Sequence, residues 1–131
     1  MKPDPRFAKL TGSGETTVII DTGLNDISSY FRPGEVVYQY DFADNTSSVV
    51  DTLGHGSNIA SIIGSNNSQY PGLAPDANLI ILKVFDNSGH GYFSYVDEAL
   101  QWAATNAAAY HIGVVNMSLG DGGNWTHAAS R

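Results

Sequence analysis

The feature that most constrains the fold is a set of short runs that are apolar at consecutive positions, not at every second one. Leu79-Ile80-Ile81-Leu82, continuing through Lys83 to Val84 and Phe85, is the strongest. Thr16 to Ile20 and Val114 to Leu119 are of the same kind. A strand with one wet face alternates, whereas a strand covered on both faces does not. Such strands need helices above and below. Between the last two runs lies an alanine-rich segment in which Val96, Ala99, Leu100, Ala103, Ala107 and Tyr110 share one helical stripe. Ser94-Tyr95-Val96-Asp97 reads as a capping box that opens this helix, and His111-Ile112-Gly113 as its close.

Two further elements complete the order. Glu35 to Phe42 reads as a strand with Val36, Tyr38 and Tyr40 on one side and Val37 on the other. A shorter helix follows Asp51-Thr52-Leu53-Gly54-His55-Gly56-Ser57, with Ile59, Ile62 and Ile63 expected to bury it, Ser57 to cap its first turn and Gly64 to end it. Strand, strand, helix, strand, helix, strand predicts an α/β domain. Its expected form is three-layered, with a mostly parallel central sheet and helices on both faces. Chemistry in such sheets sits beyond the carboxyl ends of the strands. No repeat or long linker divides the chain, so residues 1–131 read as one domain with residues 1–15 as an N-terminal arm. Residues 121–131 read as a loop and the beginning of a further helix, so the domain is expected to be partial. Exposed sheet edges would then make it prone to association.

Charge and composition remove several functions. The chain carries six basic residues and a net charge of −7, so no basic patch is available for phosphates and nucleic acid is not an expected partner. It has no cysteine, which excludes disulfides, thiolate metal sites and a cysteine nucleophile. No run approaches a membrane span, and the first residues do not form a signal peptide. Gly12-Ser13-Gly14 precedes a strand where a dinucleotide loop would follow one. His90, His111 and His127 are too scattered to propose a metal site. Asn45, Asn66 and Asn124 each begin an acceptor pattern for glycosylation that is common by chance, and no role is assigned to them.

The chemistry centres on two side chains. His55 stands between glycines at a helix start, open on one side. Asp21 ends the run Thr16–Ile20. Each has a plain alternative, a surface-turn histidine and a turn-capping carboxylate. Together they form a plausible acid–base pair, in which a carboxylate fixes the imidazole tautomer and stabilises the imidazolium.

Three blocks give the chain a resemblance to the subtilisin-like serine proteases. Val18-Ile19-Ile20-Asp21-Thr22-Gly23 resembles the block holding that family's catalytic Asp. Asp51 to Ser57 resembles the block holding its catalytic His. Gly72-Leu73-Ala74-Pro75-Asp76-Ala77, Lys83-Val84 and Val115-Asn116-Met117-Ser118-Leu119-Gly120 resemble its connecting strands. The resemblance implies peptide-bond hydrolysis, with Asp21 orienting His55 and His55 as general base and then acid. It implies that Asp51 and Ser57 support the histidine. It also implies two backbone edges, Gly89-His90-Gly91 and Ser118-Leu119-Gly120, between which a polypeptide substrate lies as an added strand. A secreted location is implied as well. Calcium is a family expectation only, because the loop after Gly23 lacks the usual His-Pro-Asp-Leu run.

Departures are local except for one. Ser57 replaces the usual Thr, Asn58 a second His, and Ser61 a Gly. The family's serine block, Gly-Thr-Ser-Met-Ala, does not occur in these residues, nor does its oxyanion asparagine, which Asn116 is not. Two of three triad members are therefore present, and the chain by itself is expected to be inactive and to need the C-terminal part of the same domain. Two other readings compete. One is an inactive, subtilase-derived binding or scaffold piece. The other takes Asp21-Thr22-Gly23 as an aspartic-protease motif, which requires a nearly all-β fold.

Overall fold

A computed structural model describes residues 4–25 and 29–120. Four strands and two helices alternate: β1 (Thr16–Asp21), β2 (Val36–Asp41), α1 (His55–Gly64), β3 (Asn78–Lys83), α2 (Phe93–Tyr110) and β4 (Ile112–Asn116). The sheet order is β2-β3-β1-β4, and every pairing is parallel. The fold is thus the α/β sheet expected from the continuous apolar runs. A 3-10 turn, Pro5–Phe7, precedes it in the arm.

Both faces of the central strands β1 and β3 are covered, whereas the edge strands β2 and β4 are partly exposed, and Val114 and Val115 do not share the burial expected of a doubly covered run. Val18, Ile20, Ile80, Leu82 and Val84 form one core with Ala99 and Ala103 of α2. Ile19, Leu79 and Ile81 form the other with Ala60 of α1 and with Leu24, Phe31 and Val49 from loops. The side chains of β1 and β3 are almost wholly enclosed, and each such aliphatic contributes on the order of 1.5–3 kcal/mol by leaving water. That burial explains why these runs do not alternate.

Several local expectations are corrected. In β2 a bulge sets Val36 opposite Leu79 and Tyr38 opposite Ile80, so two residues of β2 span one step of β3. Val36 therefore packs in the α1-side core, whereas Tyr38 and Tyr40 pack in the α2-side core. The last strand begins at Ile112, two residues earlier than expected, and stops at Asn116. His111 adopts a left-handed conformation (φ 53°), and its N–H caps α2 on Ala107 O and Ala108 O. At the other end of α2 the first helical residue is Phe93, and Tyr92 at the cap supplies no side-chain bond. Ser94 therefore lies inside the helix, and the capping box does not form. Trp102, absent from the expected stripe, stacks on Tyr38 with ring centroids 4.1 Å apart.

The buried face of α1 is made of Gly56, Ala60 and Gly64, not of isoleucines. Ile59 and Ile63 flank it, and Ile62 is 55% exposed. Small residues at four-residue spacing let the helix lie directly on the strands. A Cβ at Gly64 would come within 2.6 Å of Glu35 Oε1.

The carboxyl ends of three strands share one rung. Asp21 of β1 and Asp41 of β2 are both in register with Lys83 of β3. All three are buried, and by strand alternation they face α1. Residues 121–131 lie outside the described residues, and with them the expected tail helix, His127 and the Asn124 acceptor pattern.

Candidate active site

Asp21 is the last residue of β1 and is 1% exposed. Its Oδ1 accepts from Thr22 N at 2.7 Å and lies 2.7 Å from His55 Nδ1. An ionised carboxylate only accepts, so this contact assigns the imidazole proton to Nδ1 and leaves Nε2 as the free base. The His55 side chain is half exposed. Asp21 Oδ2 has no hydrogen-bond partner among the described residues.

His55 is held by the way α1 begins. Gly54, with φ 84°, takes a left-handed conformation ahead of the first helical residue, His55. Gly56 has a different role. A Cβ there would strike the Gly23 carbonyl, so the start of α1 and the exit of β1 touch backbone to backbone. The two glycines thus serve a turn and a close contact, and the second brings the imidazole onto the Asp21 carboxylate.

The cap of α1 comes from Asp51, not from Ser57. Asp51 Oδ1 accepts from Gly54 N at 2.8 Å, Leu53 N at 3.0 Å and Thr22 Oγ1 at 2.9 Å. Asp51 Oδ2 accepts from Ser57 N at 2.9 Å and Ser57 Oγ at 2.7 Å. Thr22 Oγ1 in turn accepts from Gly56 N at 2.8 Å. Asn25 clamps the same loop, donating through Nδ2 to Asp51 O at 2.7 Å and accepting from Asp51 N at 3.2 Å. Among the departures from the family pattern, Ser57 keeps the hydroxyl that this network uses, Asn58 is exposed, and Ser61 Oγ donates to Asn58 O at 2.7 Å.

Burial alone would raise the Asp51 pKa, but the donors from Ser57, Gly54 and Thr22 outweigh it and hold the carboxyl at about 2. The unfolded chain binds this proton near 3.8, so folding favours the charged form. The resulting stabilisation, on the order of 2 kcal/mol, is complete above about pH 4 and is lost as pH falls through 2. Asp51→Asn is therefore expected to lower unfolding free energy by about that amount at pH 7, with the deficit shrinking toward pH 2. Denaturant titration of both proteins at the two pH values measures it. An equal deficit at both would place the effect in shape and not in charge.

The two expected substrate edges reach one groove only in part. Gly91, Leu119 and Gly120 line one apolar groove of about 460 Å³, together with Phe85, Tyr92 and Met117. Gly89 and His90 stand outside it on the exposed turn after β3. There Asp86 Oδ1 accepts from Ser88 N and His90 N. Ser118 Oγ donates to Asn116 Oδ1 at 3.1 Å. Gly91 has a packing reason to lack a side chain, since a Cβ would come within 2.8 Å of the Phe85 ring. Among the described residues, no group of three or more His, Asp or Glu side chains converges, so none is assigned to calcium. No described helix is long and apolar enough to cross a membrane.

With this geometry in place, comparison with known proteins is decisive. Residues 12–131 match the Subtilase family. The chain belongs to that family. Over 115 residues it is 41% identical to Alkaline serine exoprotease A of Vibrio alginolyticus, covering 88% of this chain and 20% of that protein. Over 112 residues it is 35% identical to Thermitase of Thermoactinomyces vulgaris, covering 83% of this chain and 38% of that one. It superposes on a cold adapted subtilisin-like serine proteinase with a TM-score of 0.73 at 38% identity, covering 89% of this chain and 41% of the other. The chain thus spans between 20% and 41% of the length of these subtilases. Subtilases are serine proteases, and a parallel sheet with an 18-residue α2 removes the aspartic-protease reading, which needed an all-β fold.

Sequence reasoning named Asp21, His55, Asp51 and Ser57 and missed Thr22, Asn25 and Lys83. A hydroxyl directly after a strand-end carboxylate was the available signal for Thr22. Lys83 carried the clearer one: a lysine inside an apolar run must have buried acceptors.

Proposed function

We propose that this chain supplies the Asp and His of a serine endopeptidase. In this reading the nucleophilic serine and the side-chain oxyanion donor come from sequence beyond these 131 residues. The 2.7 Å contact between Asp21 Oδ1 and His55 Nδ1 carries the reading. It leaves Nε2 of the half-exposed ring to take the serine proton and then to deliver it to the leaving amine. Asp21 holds the tautomer and offsets the positive charge of the imidazolium. A polypeptide substrate runs through the groove bordered by Gly91, Leu119 and Gly120, hydrogen-bonded as an added strand along Gly89–Gly91 and Ser118–Gly120. Asp51 and Ser57 keep His55 in place. A secreted location belongs to the same proposal, by family resemblance, and calcium stays a family expectation with no residue assigned to it.

The test is covalent labelling with a fluorophosphonate. The serine-bearing protein is expected to be labelled at a single serine outside residues 1–131, and the 131-residue polypeptide at none. Stoichiometric labelling of any serine in the shorter polypeptide would overturn the assignment. An unlabelled longer protein would support the inactive scaffold instead.

A further inference from the structure

Lys83 is the one buried lysine among the described residues, and the mechanism above does not use it. Its Nζ donates to Val50 O at 2.9 Å and to Asn87 Oδ1 at 2.8 Å, and it lies 3.5 Å from Asp41 Oδ2. An ammonium has three donors, and these three acceptors come from three different rim segments. Val50 directly precedes Asp51, the cap of the His55 helix. Asn87 belongs to the turn that continues into Gly89–Gly91. Asp41 ends β2. A second strap runs parallel to the first, from Thr52 Oγ1 to Asn87 O at 3.1 Å.

We propose that Lys83 is a positioning residue that fixes the substrate edge Gly89–Gly91 relative to the loop Val50–Gly54 leading into His55. The inference rests on the peptidase reading of this site. The reasoning is geometric. Substrate strand and imidazole must be correctly placed at the same moment, and the elements that hold them, the turn after β3 and the start of α1, share no strand pairing. Lys83 grips both from below, and Asp41 holds the ammonium in turn. Without that grip each loop keeps its own internal bonds, Asp86 in one and Asp51 in the other, and a single bond from Thr52 Oγ1 to Asn87 O still joins them, so their relative position is loosened. A structural lysine would stabilise the rim as a whole. A strap acts on the relation between the two loops, and it is on this difference that the two roles separate.

Two variants of the serine-bearing protein test this. Asn87→Ala changes an exposed residue and removes only the acceptor, while Lys83→Met removes the ammonium. On a peptide long enough to pair with both edges, each is expected to lower kcat/KM by about 10- to 100-fold, mostly through KM. The double variant is expected to be no worse than Lys83→Met alone, since both break one strap. Amide exchange at Leu53 and Gly54 is expected to be about tenfold faster in Asn87→Ala. If KM and the Leu53 and Gly54 exchange rates stay within twofold in Asn87→Ala, the proposal is overturned, and additive losses in the double variant overturn it as well. If Lys83→Met fails to fold, Asn87→Ala decides alone. If the parent protein takes no fluorophosphonate, the peptidase reading is what has failed, and amide exchange still decides the strap.

Discussion

Replacing His55 by alanine in the serine-bearing protein is expected to lower kcat by about 10⁶-fold with little change in KM. That figure is subtilisin's own, carried over from the family's namesake and not calculated from this geometry. The structural reason for expecting it here is that, among the described residues, no other histidine stands on the Asp21 carboxylate. Among the described residues, His55 is the histidine placed on the buried Asp21 carboxylate, whereas His90 pairs at 3.7 Å with the exposed Asp86 on a surface turn. The substrate edges are untouched by the substitution, so binding persists while proton transfer fails. Steady-state kinetics on a chromogenic peptide measures both terms. A loss of less than a hundredfold would mean that the hydroxyl is activated from elsewhere.

Asp21→Asn is expected to cost about 10⁴-fold in kcat while leaving the fold in place. Asparagine is nearly isosteric, so β1 survives, but Oδ1 is the atom that serves both Thr22 N and His55 Nδ1, and the contact to Thr22 N is kept only with the amide oxygen toward the ring. What changes is the sense of the hydrogen bond. With the amide nitrogen of Asn toward the ring, Nδ1 must accept, the proton moves to Nε2, and the base needed for serine is capped. With the amide oxygen toward the ring, the tautomer is kept but the negative charge that offsets the imidazolium is gone. Both orientations slow the step. A pH–rate profile separates them from mere disorder, because activity is expected to recover partly at high pH, where hydroxide can stand in as base. A flat profile would indicate that His55 had moved.

The strands were legible because burial on both faces leaves its mark residue by residue, as in Leu79 to Leu82. The pairing of Asp21 with His55 was legible as two groups expected at the carboxyl rim of one parallel sheet, and the resemblance then gave the pair its roles, since spacing alone does not bring a carboxylate and a distant imidazole together. The rest was hidden for identifiable reasons. A bulge in β2 leaves Val36-Val37-Tyr38 looking like regular alternation. Gly56 was read as a turn residue and Gly64 as the end of the helix, when both also let α1 lie close, and Ile62 was assigned inward for want of that information. Asp51 was expected to support the histidine, but its place as acceptor for both Thr22 and Ser57 depends on a contact between segments far apart in sequence. Lys83 was seen as part of a family pattern and not as a charge requiring partners.

The strand order has a consequence for how such a molecule comes into being. The first strand made, β1, is a central one, and both its neighbours are made after it: Thr16 waits for Asn78 on one side and Ile112 on the other. On a ribosome adding about 5–20 residues per second, this fully buried strand therefore stays without a mate for several seconds. Every sheet contact is distant along the chain, which is the arrangement that folds slowly. Asp21 thus sits at the end of a strand that is flanked on both sides only once β4 has been made, so the setting of its carboxylate is completed late in the order of assembly.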